Sequence, residues 1–172
     1  LTGMLDLSDP LWDRVSATCT TFTPTAIDHH YDTVTLTNAS PDLVYVEVSA
    51  EWDTFDGFMH VWGADEANFD ATDLDQCTVG DDDDPIIGTD GSLITSVALA
   101  PNSDNTIVLS TFSPGDTGPW SLTVTTLPAP NEPNDTAAEA IELTLGTGED
   151  GAIETAADVD WYTFTTTEAS LI

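Results

Sequence analysis

The sequence predicts an all-β fold: a β-sandwich module over residues 1–127, a Pro-rich linker at 128–131, and part of a second β module at 132–172. Three observations predict it. Apolar and polar residues alternate with a period of two along several short segments. Turn chemistry separates those segments at almost every break. Helical periodicity is nearly absent.

The strands follow in order. "TVTLT" turns Val34 and Leu36 inward between threonines. "VYVEVSAEW" sets Val44, Val46, Val48, Ala50 and Trp52 on one face, with Tyr45, Glu47, Ser49 and Glu51 on the other, which is a half-buried strand. "FMHVW" (58–62), "SLITSVALA" (92–100), "TIVLSTF" (106–112) and "WSLTVTTL" (120–127) continue the pattern. "DTFDG", "GDDDDP", "GTDGS", "APNSDN" and "SPGDTGP" between them read as turns. The one helical candidate is "NDTAAEAIEL", where Asn134 or Asp135 is placed to cap a short turn before the next strand. "LPAPNEPND" reads as linker, because closely spaced prolines cannot sit inside a sheet.

The charge is extreme. Thirty-two acids face one base, Arg14, for a formal charge of -31, and there is no lysine. Nothing neutralises phosphate, so nucleic acid is excluded as a partner, and an anionic membrane surface is disfavoured. Such self-repulsion strains a compact state, and salt or divalent cations relieve it. Many acidic chains are disordered. Here 40% hydrophobic residues, with five Trp, six Phe and three Tyr, supply a core. No apolar run is long enough to span a membrane, and "LTGMLDLSDP" lacks signal-peptide character. The first residue is not Met, so the chain reads as a processed or internal piece. Cys19 and Cys77 form no metal-binding pattern. A disulfide in an oxidising compartment is the natural reading, with two free buried thiols as the alternative.

After the linker the pattern restarts. "DTVTLTNASPDLV" from Asp32 aligns without a gap on "DWYTFTTTEASLI" from Asp160, an offset of 128 residues. Thr35/Thr163, Thr37/Thr165 and Leu43/Leu171 match by identity; Val34/Tyr162, Leu36/Phe164 and Val44/Ile172 match in apolar character. "DPLWD" corresponds loosely with "EPND". Part of a sandwich cannot bury its own apolar face. Two expectations follow: a fragment of a longer protein, or a module completed by a neighbouring subunit through strand addition, which would make the protein a filament subunit.

At Glu132-Pro133-Asn134-Asp135-Thr136, Gly151-Ala152-Ile153 and Asp158-Val159-Asp160-Trp161-Tyr162-Thr163-Phe164, the chain resembles the start of a bacterial pre-peptidase C-terminal (PPC) domain. That family opens with E-P-N-D-T and reaches D-x-D-x-Y-x-F after a G-x-I strand. The first module resembles a more divergent member through "FDGFMHVW", a cysteine followed by "DDDD", and the stretch from Ser92 to Val124. Met59 stands where Leu is usual and Trp120 where an aromatic is usual. The resemblance implies a jelly-roll-like β-sandwich without catalytic activity, appended to secreted proteases and other exported proteins or strung along surface proteins. It also implies calcium near the N-terminal segment. Carried over by position, the calcium ligands are Glu132, Asn134, Asp135, Asp158 and Asp160. The chain departs at Ala156 and Ala157, where relatives often carry another acid.

The chemistry of those residues is compatible with the implication. Calcium takes six to eight oxygens. "NEPND" supplies three side-chain oxygen donors in four residues, and Asp158 and Asp160 share one side of an extended segment. The plainer reading makes them turn caps and loop ends. In the first module Asp53 and Asp56 bracket one turn, and Asp81, Asp82, Asp83 and Asp84 sit in another. They are weaker cation candidates, and a solvated acidic turn is the simpler account. His29 and His30 point to opposite faces of a strand. His60 shares a face with Phe58 and Trp62, which suits a structural histidine. No nucleophile elbow is present, and among 32 acids no particular carboxylate pair argues for glycoside hydrolysis. Trp62 and Trp120 are expected in the core. Asn38 ("NAS") and Asn134 ("NDT") match the glycosylation pattern, a match that arises often by chance.

The expectation is therefore a non-enzymatic, extracellular or cell-surface protein with a structural or adhesive role in a surface layer, fibre or multi-module surface protein. It is calcium-stabilised, associates with protein partners including copies of itself, and does not insert into membranes. The alternative is an accessory module of a secreted hydrolase such as a protease, binding protein or carbohydrate.

Overall fold

The computed structural model describes residues 1–172 except 24–26, 64–68, 89, 154, 156 and 167–172. Contacts divide the chain into two units, Leu1–Leu127 and Pro128–Ile172. Leu171 and Ile172, the last matches of the internal repeat, lie outside the described residues.

The first unit is a β-sandwich. Its strands are β1 (Thr2–Leu5), β2 (Leu11–Trp12), β3 (His29–Asn38), β4 (Val44–Trp52), β5 (Gly57–Trp62), β6 (Cys77–Asp81), β7 (Ser92–Leu99), β8 (Ser103–Thr111) and β9 (Gly118–Leu127). One sheet has the order β1-β9-β4-β7 and the other β2-β3-β8-β5-β6. Apart from β2–β3 and β5–β6, each successive pair of strands crosses between sheets. That order is the jelly-roll topology, two interlocked Greek keys.

Alternation in β4 works as expected. Val46, Val48, Ala50 and Trp52 are buried and Glu51 is exposed. They meet Met59, Val61, Ile107 and Leu109 from the facing sheet, with Leu5, Val97, Leu99, Trp120 and Leu122, in one core. β5 departs from simple alternation, because all its residues are buried. Met59 and Val61 face that core. Trp62 belongs to a second cluster with Trp12, Val15 and Val108, against which Tyr31, Phe69, Leu74 and Cys77 pack. Trp62 is thus buried as expected, but in the second cluster and not with Trp120.

The segment around residues 13–23 helps build that second cluster. It is held by the Val15–Phe22 bridge, by hydrogen bonds from Ser16 to Thr21 and from Gly80 to Ala17, and by the Cys19–Cys77 disulfide. The two cysteines are 58 residues apart and their Cα atoms lie 5.4 Å apart. The acidic run is less uniform than the sequence suggests. Gly80 and Asp81, expected in a turn, end β6 and pair with His60 and Met59. Only from Asp82 onward does the chain turn.

In the second unit the described strands are β10 (Ile141–Glu142) and β11 (Tyr162–Thr163), paired in parallel. No α-helix occurs among the described residues, and Thr136–Glu139 is a turn closed by Glu139 N–H on the Thr136 carbonyl. The motif that spans β3 in the first unit forms only the short β11 here. The physical difference is the neighbour. β3 is zipped to β8 from Tyr31 to Asn38, and the described residues of the second unit provide no such strand. Trp161, Tyr162 and Phe164 are accordingly exposed. No helix among the described residues is long and apolar enough to cross a membrane.

Candidate functional site

Two clusters of carboxylates form among the described residues, one in each unit. In the second unit, Glu132, Asp158 and Asp160 each bring a carboxylate oxygen within 4.8 Å of the others. The backbone places them. Glu132 Oε2 accepts the Asn134 N–H at 3.0 Å, which curls the "NEPND" segment around its own carboxylate. The Asn134 carbonyl accepts the Trp161 N–H at 2.9 Å, which ties that segment to the start of β11 beside Asp160. Tyr162 Oη donates to Asp160 Oδ2 at 3.1 Å.

Asn134 is the informative residue. It is 0% exposed, and neither its Oδ1 nor its Nδ2 makes a hydrogen bond. Its side chain is close enough to the Tyr162 hydroxyl to influence its titration, without an aligned bond between them. Glu132 Oε1 and Asp160 Oδ1 are likewise buried atoms without partners. Asp135 stands at the rim. A hydrogen bond to Asp158 raises its pKa, and repulsion from Asp158 raises it further. The donor set is therefore all oxygen apart from the Asn134 amide nitrogen: three clustered carboxylates, one buried amide oxygen, and a fourth carboxylate alongside. That chemistry fits a hard cation such as calcium and gives no soft ligand for zinc or copper.

In the first unit, Asp56, Asp82 and Asp83 come within the same 4.8 Å, across a gap in sequence that spacing alone does not reveal. Burial, followed by repulsion from Asp56 and Asp83, pushes the Asp82 carboxyl up to about 6. Burial also raises Asp56, with Asp83 next. The other weak candidates point elsewhere. Asp81 Oδ2 accepts the Leu93 N–H at 2.7 Å, and burial raises its pKa. Asp84 Oδ1 accepts the Ile86 N–H. Asp53 is exposed and its N–H donates to the Pro119 carbonyl.

Arg14 is the residue that sequence reasoning passed over. It is 6% exposed, and its guanidinium lies 4.1 Å from the Phe58 ring centre and 4.9 Å from that of Phe112. Burial lowers its pKa, and Asp82 and Asp56 are the carboxylates that most oppose that effect. Arg14 lowers the Asp56 and Asp82 carboxyls less than burial and their acidic neighbours raise them, so it offsets the first cluster only in part.

The histidines are structural. His60 is fully buried, and burial drives its pKa down to about 3. His29 Nδ1 lies 2.8 Å from the Thr111 carbonyl, and His30 Nδ1 lies 3.1 Å from the Asp9 carbonyl. Asn38 is buried and its Nδ2 faces the carbonyls of Asp42, Leu99 and Ala100 at 2.9–3.0 Å. Neither Asn38 nor Asn134 exposes an amide for glycosylation.

Comparison of the chain with protein-family models, curated proteins and solved structures finds no significant match.

Proposed function

We propose that this chain is a non-catalytic extracellular structural or adhesive protein of PPC-like β modules, stabilised by calcium at Glu132, Asn134, Asp158 and Asp160. The observation that carries the proposal is Asn134. Burying an amide with no partner costs about 1–3 kcal/mol, and here the unpartnered amide lies beside carboxylates that repel one another. A divalent cation relieves both costs at once. The disulfide supports an oxidising compartment, and a charge of -31 suits a cation-rich exterior.

The same reading gives the second unit a role in assembly. A two-stranded sheet is marginal in water, and Trp161 and Phe164 are 46% and 61% exposed. A strand from a neighbouring subunit laid along β11 would cover them, producing a filament.

The calcium part is tested by thermal melts and calorimetry with calcium and with magnesium. A calcium-dependent rise in Tm of several degrees is expected. No rise together with no heat of binding refutes the site. The assembly part is tested by electron microscopy of native material with and without chelator, where monomers under all conditions would refute it.

A further inference from the structure

A cavity lies in the first unit, lined by none of the residues of that unit's carboxylate cluster. It encloses about 390 Å³, the lower end of the range for ligand sites. Leu11, Trp12, Phe22 and Ala71 supply its apolar lining, and Asp13, Asp28 and Thr72 its polar lining. The wall is preformed. Trp12 is 4% exposed and wedged against Tyr31, His60, Trp62 and Phe69 at ring separations of 5.4–6.1 Å. Phe22 is fixed by its bridge to Val15. Leu11 and Phe22 nevertheless remain 52% and 37% exposed, so apolar surface faces water inside a concave site.

We propose that this cavity receives an arginine or lysine side chain of a different protein. A pocket lined by apolar side chains and two carboxylates complements a cation carried on an apolar stem, as in both of those side chains. The aromatic wall adds cation–π attraction. Within these 172 residues no lysine or arginine is free to fill such a site. Arg14 is the only Lys or Arg, and it is buried over Phe58 and Phe112. His29, His30 and His60 are also buried. The rest of the acidic surface attracts bases diffusely, whereas this site joins carboxylates to an apolar floor.

The test is a titration with acetyl-Leu-Arg-Leu-amide and its citrulline counterpart, which keeps the shape and removes the charge. It is followed by amide NMR in 1 M sodium chloride, where the Debye length of about 3 Å suppresses diffuse attraction. The expected result is saturable chemical-shift changes at Asp13, Ala71 and Thr72 with the arginine peptide. Affinity should fall at least fivefold in Asp13→Asn/Asp28→Asn and in Leu11→Ser, and remain unchanged in Glu51→Gln/Asp104→Asn. Spectra matching the wild type in dispersion establish that each variant is folded. Equal binding of the citrulline peptide would overturn the proposal in favour of an uncharged apolar ligand. Equal weakening by both double variants would overturn it in favour of general polyanion attraction. Absence of saturable changes would remove the site.

Discussion

His60 lies against Gly80. The two residues are opposite one another across β5 and β6, and a Cβ at position 80 would sit 2.4 Å from the imidazole. Gly80 is therefore required for space. The ring it admits is stacked on Phe58 at 4.7 Å, and its Nε2 lies 3.2 Å from the Val15 carbonyl. Since a carbonyl only accepts, Nε2 carries the proton of a neutral imidazole. One histidine thus joins β5, β6 and the segment that carries Val15.

That geometry makes stability depend on pH. Burial lowers the folded pKa of His60 from 6.5 to about 3. Between those values the unfolded chain binds the proton and the folded chain does not, so stability falls as pH falls from 6.5 towards 3. Each tenfold difference in proton affinity between the two states corresponds to about 1.4 kcal/mol. His60→Phe keeps a ring against Gly80 and removes the titration. Chemical denaturation of this variant should show a shallower loss of stability over that window than the wild type. A variant with an unchanged pH slope would refute the assignment.

Asp82 works in the opposite sense. Its folded pKa of about 6 lies above the ordinary 3.8, because burial and the neighbouring Asp56 and Asp83 disfavour its charge. The folded chain holds the proton longer, so this group destabilises the fold above about pH 6, and the penalty disappears below 3.8. Asp82→Asn should raise Tm at pH 7–8 and leave it nearly unchanged below pH 4. Melts at both extremes check this; a Tm rise of the same size at both would mean that charge is not the cause. Because the windows of His60 and Asp82 overlap with opposite signs, the two variants are needed to separate them.

The Cys19–Cys77 bridge ties a segment with little regular structure to β6. Closing a loop of 58 residues stabilises by about 4 kcal/mol in the chain-entropy model. Cys19→Ser/Cys77→Ser should lower stability by that order and loosen the second cluster more than the first. Amide exchange checks the distribution. Faster exchange at Trp62 and Val108 than at Val48 and Leu122 is expected, and uniform loss of protection would show that the two clusters unfold as one.

What was legible in the sequence is what alternation encodes. β4 matches its apolar stripe end to end, and β5, β7, β8 and β9 fall where the periodic segments lie. The short strands were not legible. β1 and β2 are too brief for a period, and β6 breaks its pattern at Gly80 and Asp81, whose places are set by His60 and Leu93. Long-range pairing also hid the first carboxylate cluster, which depends on the β4–β5 and β6–β7 connections meeting. Asn38 looked like a glycosylation signal because three carbonyls from distant residues are invisible in a local motif. In the second unit the resemblance named Glu132, Asn134, Asp135, Asp158 and Asp160 together, and the carboxylate oxygens of Glu132, Asp158 and Asp160 lie within 4.8 Å of one another. The resemblance did not reveal that Asn134 is buried with its amide unpartnered, and that fact carries the calcium proposal.

The proposed calcium site can be challenged without altering a ligand. A Cβ on Gly151 would lie 2.2 Å from Tyr162 Oη and 3.1 Å from Asp160 Oδ2. The glycine therefore leaves room for the hydroxyl that holds Asp160. Gly151→Ala must displace Tyr162, and with it the oxygen that Asp160 presents. If calcium binds among Glu132, Asn134, Asp158 and Asp160, this variant should lose most of the calcium-induced rise in Tm and bind calcium at least tenfold more weakly by calorimetry. Tyr162→Phe, which removes the hydroxyl that holds Asp160 Oδ2 but keeps the ring, should also weaken binding, though less than Gly151→Ala because no side chain is displaced. Asp135→Asn, at the rim, should weaken binding less than Asp160→Asn does. Equal calcium responses in Gly151→Ala, Asp160→Asn and the wild type would place the ion elsewhere.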